Sequence, residues 1–155
     1  MFESEIYTVS NAFLAAYPAS RYPELLTKQA RPLECLLLDV SPDYFICIPF
    51  RSNISHKNAF MFKNSARSRR TRSGLDYTKI ILVKDSNYMN PNAVVDKDEF
   101  NEAQMNINTI ISESTKYIAA YVDHINGSAV MKPRKFQENY GFSTLGYFHD
   151  ILGLE

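Results

Sequence analysis

The chain has 155 residues, with 17 Lys and Arg against 17 Asp and Glu, so its formal net charge is zero. Hydrophobic residues make up 45% and charged residues 22%, which excludes a disordered chain and fits one domain, residues 1–155, able to bury a core without disulfides or metals. Cys35 and Cys47 lie in apolar runs without the His and Cys companions of a zinc site, and read as buried free thiols. The N-terminal stretch lacks the basic start and apolar run of a signal peptide, and no apolar run nears the roughly 20 residues that span a bilayer. A cytoplasmic protein with no membrane partner is therefore expected.

Residues 1–95 read as sheet-rich. Glu5–Val9 alternates as a short strand, and Ser10 is placed to cap a helix through Tyr17 that Pro18 ends. A helical turn follows within Arg21–Ala30. Leu33–Val40 and Tyr44–Phe50 are apolar runs joined by the turn residues Ser41-Pro42-Asp43, the pattern of a buried antiparallel hairpin. Ala59–Lys63 reads as a short strand, Asn64–Gly74 as a basic, Ser-rich loop, and Leu75–Lys84 as one long strand. Antiparallel strands without a βαβ rhythm predict a small, curved sheet or barrel.

Residues 96–155 read as helical. Asp96 caps a helix with Glu99 at its third position, and Phe100, Gln104, Ile107, Ile111, Ser114, Ile118, Tyr121 and Ile125 form one amphipathic stripe up to Asn126-Gly127. Pro133 opens a shorter helix to Tyr140, capped by Gly141, and Ser143 caps another over Thr144–Leu152. The expected class is α+β, a compact antiparallel sheet or small barrel flanked by helices.

Zero net charge conceals a segregated distribution. Between Arg51 and Arg72 lie seven basic residues and no acid, leaving 10 basic and 17 acidic residues in the rest of the chain. Such a stretch is either a solvated loop or an electrostatic footprint for phosphates. Arg51, Ser52, Asn53, Ser55, His56 and Lys57 crowd the segment just after the Tyr44–Phe50 strand. Cleavage of RNA by its own 2′-hydroxyl requires a group that moves that proton and cations that stabilise the charged transition state. His56 can be base or acid near neutral pH, Arg51 and Lys57 supply cations, and Ser52 can hydrogen-bond a phosphate oxygen. Ser52 with His56 also suggests a hydrolase pair, but no orienting carboxylate is identifiable, and Asp39 and Asp43 lie at the far end of the hairpin. G-x-S-x-G, Walker A, G-x-G-x-x-G and H-E-x-x-H patterns are all missing. His124 and His149 read as structural or surface residues. The acids Asp96, Asp98, Glu99 and Glu102 suit a helix start. Among the aromatics, Tyr77 is a candidate for stacking on an unpaired base.

Several blocks together resemble the TenpN-type toxins of type III toxin–antitoxin systems, relatives of the ToxN and AbiQ endoribonucleases. They are IYTVSNAFL, RPLECLLLDV, IPFRSNISHKNAFMFKNS, SGLDYTKIILVKD and the late Gly-Phe-Ser-Thr-Leu, which span almost the whole chain. The resemblance implies a sheet core flanked by helices, similar to ToxN and to MazF and Kid toxins. It also implies a bacterial endoribonuclease that needs no metal or cofactor and leaves 2′,3′-cyclic phosphate and 5′-hydroxyl ends. Its partners would be cellular or phage mRNA and a repetitive, pseudoknotted antitoxin RNA, which the toxin processes and which inhibits it in a closed RNA–protein assembly. A role in abortive phage infection is implied, and no DNA partner.

Carried across, the family's turn serine corresponds to Ser52, its preceding neighbour to Arg51, and the following basic residue to Lys57, with His56 as the alternative. ToxN has Thr at the position of Arg51 and a lysine at that of Leu33, so one cationic role falls to Arg31 or Lys28. Lys63, Arg67, Arg69, Arg70, Arg72 and Lys79 would grip the RNA backbone. The rival reading is a non-catalytic RNA- or protein-binding module built on the same basic segment. A metal-dependent nuclease ranks last for want of a carboxylate cluster.

Overall fold

The centre of the fold is the strand with the longest apolar run. β3 (Phe45–Arg51) is buried from Ile46 to Phe50, which explains a continuous rather than alternating pattern. The structure, a computed structural model, describes residues 5–25, 33–91 and 93–154. Arg31 and Lys28, and most of the helical turn expected within 21–30, lie outside them.

β2 (Glu34–Leu38) pairs antiparallel with β3, Leu36 opposite Ile48 and Leu38 opposite Ile46, as the hairpin pattern predicts. β1 (Glu5–Val9) pairs with β2 and, through Thr8 and Val9, with the two-residue β7 (Met89–Asn90). The other edge of β3 takes two partners in succession. β6 (Ile81–Val83) lies opposite Phe45–Cys47, and β5 (Gly74–Asp76) lies opposite Phe50 and Arg51 and pairs in turn with β4 (Ala59–Met61). Pro49, which has no N–H to donate, falls in the interruption between them.

The result is a seven-stranded antiparallel sheet in the order β4-β5-β3-β2-β1-β7, with β6 beside β3. It is open, which corrects the barrel alternative. Its terminal strands have three and two residues, and among the described residues neither pairs with the other to close the sheet.

The predicted strand Leu75–Lys84 is broken in two. The Asp76 carboxylate accepts the Thr78 backbone N–H at 2.9 Å and caps a single 3-10 turn over Tyr77–Lys79, so a side chain replaces the ladder at that point. Gly74, paired with both Arg51 and Met61, has to be glycine. A Cβ there would fall against the Phe60 carbonyl oxygen and 3.2 Å from Met61 Cα. Gly74→Ala is expected to cost about 1–3 kcal/mol, read as a lower urea midpoint at unchanged slope.

Helix α1 (Asn11–Ala16) starts where predicted, with Ser10 Oγ accepting the Phe13 N–H. The segment 64–74 is not a plain loop, because it contains α2 (Ala66–Thr71). Ser65 and Ser68 close a capping box around its first turn, while none of its residues is buried, so no apolar period announces it. The expected long helix is also two. α3 (Lys97–Met105) and α4 (Ile107–Ile125) meet at Asn106, whose φ of −114° and ψ of 21° leave helical geometry and whose side chain donates to the Glu102 carbonyl.

The stripe is right at Ser114, Ile118 and Tyr121, but Ile125 is exposed, and Ile110 and Tyr117 take core positions instead. On α3 the fully buried residues are Glu99, Glu102 and Ala103, while Phe100, like Ile107 and Ile111 on α4, is partly buried and packs against the core as the stripe predicts. α5 (Pro133–Tyr140) matches its prediction. The last predicted helix is a 3-10 stretch, Thr144–Phe148, running into α6 (His149–Leu152). Cys35 and Cys47 are buried free thiols, and burial pushes both pKa values up. Among the described residues no helix is long and apolar enough to cross a membrane.

Candidate active site

The β3–β5 register assembles the site. Arg51 lies opposite Gly74, so Asp76, two residues further along β5, is on the same face and diagonal to it. Arg51 Nη1 donates to Asp76 Oδ2 at 2.8 Å. The segment after β3 is drawn back to the same point. Asn53 and Ile54 N–H donate to the Thr71 and Arg72 carbonyls, buried Ile54 anchors the loop, and the Asn58 carbonyl accepts the Tyr77 N–H at 3.0 Å. His56 thereby reaches Asp76, with Nε2 3.1 Å from Oδ1. Thr78 completes the group, donating its hydroxyl to Oδ1 at 2.6 Å.

Asp76 is fully buried and accepts three hydrogen bonds, from Arg51 Nη1 and from the Thr78 N–H and hydroxyl, while His56 Nε2 lies 3.1 Å from Oδ1 and 3.4 Å from the Thr78 hydroxyl oxygen. A lone buried carboxylate is costly, and these partners are what make its burial tolerable. They also fix the imidazole tautomer. The Asn58 backbone N–H can only donate, and it reaches His56 Nδ1 at 3.1 Å, so Nδ1 carries the lone pair and Nε2 the proton that faces Asp76. Asp76 is the orienting carboxylate that could not be identified in the sequence. Its only signal there is an acid inside the apolar run LDYTKIILV.

Arg51, His56 and Thr78 line a cleft of about 320 Å³ together with Glu24, Lys79, Glu138, Asn139 and Phe142. The Arg51 side chain is 37% exposed and lines the cleft, and only its Nη1 is bonded to Asp76. Lys57, although adjacent to His56, lines a separate cleft of about 600 Å³ with Glu113, Lys116, Tyr117 and Lys135. The two clefts meet at Asn139, which accepts a 3.1 Å bond from Asn58. Ser52 is half-buried just beyond β3, lines neither cleft, and its hydroxyl takes no partner among the described residues.

Two predicted RNA contacts are corrected. Tyr77 is buried, packs against Tyr117 and donates its hydroxyl to Glu113 at 2.8 Å, so it offers no face to a base. Burial and that acceptor push its pKa up, and the phenol keeps its proton. Lys79 is buried too, its ammonium bound to Glu24 at 2.7 Å and to the Phe142 carbonyl at 2.8 Å.

The other basic residues stay near the surface around α2. Lys63, Arg69, Arg70 and Arg72 are exposed, Arg72 donating its Nε–H back to the Ile54 carbonyl, and Arg67 lies 3.9 Å from Glu99. α3 holds this segment in place. Glu102 accepts the Lys63 and Asn64 N–H groups, and Glu99 accepts the Ser65 and Ser73 hydroxyls at 2.9 and 2.5 Å. These acids therefore do more than complement a helix dipole. His124 and His149 are structural, the first accepting the Met131 N–H and the second bonded to the Tyr121 hydroxyl.

Among the described residues no three His, Cys, Asp or Glu side chains gather closely enough to hold a metal ion. Comparison with family models, with curated proteins and with solved structures finds no match to this chain.

Proposed function

We propose that this protein is a metal-independent endoribonuclease of the TenpN toxin type, acting in the bacterial cytoplasm and restrained by a repetitive RNA antitoxin. The observation that carries the reading is the meeting of Arg51, His56 and Thr78 on the buried carboxylate of Asp76 at an open cleft. Asp76 holds one imidazole nitrogen so that the other can act as base, the division of labour used in hydrolytic triads.

The substrate's 2′-hydroxyl takes the place of the Asn58 N–H at His56 Nδ1 and gives up its proton there. Its oxygen bonds to phosphorus as the bond from phosphorus to the 5′-oxygen breaks, and the departing oxygen takes a proton from solvent. The arm of Arg51 not bonded to Asp76 stabilises the charge on the non-bridging oxygens. Lys57 grips the strand in the neighbouring cleft, and Lys63, Arg69 and Arg70 attract it from α2.

Purified protein mixed with RNA in excess EDTA is expected to yield fragments ending in 2′,3′-cyclic phosphate and 5′-hydroxyl. Tight binding without cleavage overturns the enzyme reading in favour of an RNA-binding module. One observation favours that alternative, since both His56 nitrogens already have partners within the protein. Cleavage that EDTA abolishes overturns the metal-independent mechanism.

A further inference from the structure

The cleft of Arg51 and His56 carries a feature that proton transfer does not use. Phe142 forms part of its lining and is 70% exposed. The other large hydrophobic side chains exposed among the described residues are Val94, Met105, Ile125 and Val130, none of them aromatic and none in this cleft. Scattered aliphatic residues of that kind are ordinary on a surface. An exposed ring in a cleft whose other lining residues all carry polar groups is not.

The backbone beneath that ring is fixed on both sides. The Phe142 carbonyl accepts from buried Lys79, itself paired with Glu24, and the next N–H, that of Ser143, donates to the Tyr140 carbonyl at 3.1 Å. Ser143 then caps the 3-10 stretch that begins at Thr144. The ring is thus presented by a held backbone.

The cleft's charges are largely matched: Lys79 with Glu24, Arg51 with Asp76, and Arg134 with Glu138 at 3.6 Å. A polyanion gains little from such a lining. A flat, neutral ring system with one attached phosphate suits it better, the phosphate at the arm of Arg51 not bonded to Asp76 and the ring on Phe142.

We propose that Phe142 is the floor of a nucleobase subsite, on which an unpaired base of single-stranded RNA stacks beside the scissile phosphate. This role, which rests on the ribonuclease reading for its phosphate, is the one expected from sequence of Tyr77, whose ring is buried. Every base has a face to stack, so the contact favours unpaired strands over duplexes and discriminates weakly among bases.

The test measures binding of 2′-O-methyl decanucleotides, one for each base, which lack the attacking hydroxyl and stay intact. Phe142→Ala is expected to weaken binding about tenfold, the size of one base–aromatic stack. Phe142→Tyr should restore it, and Phe142→Leu, which keeps apolar area without a π face, should not. Full affinity in the Ala variant, or full rescue by Leu, overturns the subsite. If cleavage of unmodified RNA in EDTA is meanwhile seen, the ribonuclease reading stands without it. If binding depends on the ring but no RNA is cut, the subsite stands and the ribonuclease reading falls. A wild-type protein that binds none of the oligonucleotides overturns the subsite outright.

Discussion

Asp76→Asn is expected to lower unfolding stability by about 2–4 kcal/mol and the rate of RNA cleavage by about 10²- to 10⁴-fold. The substitution keeps size and shape, so packing does not explain the loss. What changes is the set of acceptors. Three hydrogen bonds and the His56 imidazole converge on the two carboxylate oxygens, and an amide offers one oxygen and one NH₂. Whichever way it turns, its NH₂ confronts either Arg51 or the His56–Thr78 side. If the NH₂ meets His56, the imidazole is pushed toward the other tautomer, which conflicts with the Asn58 N–H at Nδ1. The partial exposure of Arg51 limits the cost, because its freed arm reaches water. Urea denaturation measures the first effect, and single-turnover cleavage of a labelled RNA the second. An Asn variant with unchanged midpoint and rate removes Asp76 from both roles.

His56→Ala separates chemistry from stability. The ring is about one-third exposed and lies in a loop already fixed by the backbone bonds of Asn53, Ile54 and Asn58, so folding should suffer by no more than about 1 kcal/mol. Removal of a positioned base costs about 10²- to 10⁴-fold in rate. The comparison with Asp76→Asn is informative, since the two residues act as a unit and their effects on rate should not multiply in the double variant. Binding of a 2′-O-methyl oligonucleotide should change little, as His56 contributes to the chemical step. If His56→Ala cuts RNA at the parent rate, the imidazole has no part in proton transfer. The cluster then reads as a structural anchor for the β3–β5 junction.

The hairpin of β2 and β3, the cap of α1 and the start of α5 are set by local signals: continuous apolar runs, a serine before a helix, a proline at its first turn. Those signals survive into the structure because nothing tertiary opposes them. Where the reading fails, a side chain has left its local role for a distant partner. Asp96 caps α3 as expected, yet the Glu99 side chain does not return to the Asp96 N–H and bonds Ser65 and Ser73 instead. α2 escaped notice because it buries nothing and depends on Ser65, Ser68 and the acids of α3. The single strand expected over Leu75–Lys84 has the right hydrophobicity, but the Asp76 carboxylate bends the chain to serve Thr78, Arg51 and His56.

Local sequence pattern is enough to establish an α+β chain with seven unopposed cations between Arg51 and Arg72, and to set Arg51 and His56 on one short segment. Which cations remain open to a ligand depends on the folded chain. Lys79 is neutralised by Glu24, Arg51 is shared with Asp76, and the segment's backbone is held by Glu102, while Lys57, Lys63, Arg69, Arg70 and Arg72 stay at the surface. The fold also decides that His56 has an orienting carboxylate and that Lys57, its neighbour in sequence, serves a different cleft. The physical reason is distance along the chain. Apolar periodicity and capping act over a few residues and can be read in order. Asp76 meets Arg51 across 25 residues through the β3–β5 register, and Lys79 meets Glu24 across 55 through a turn packed on a loop, and no local pattern encodes either.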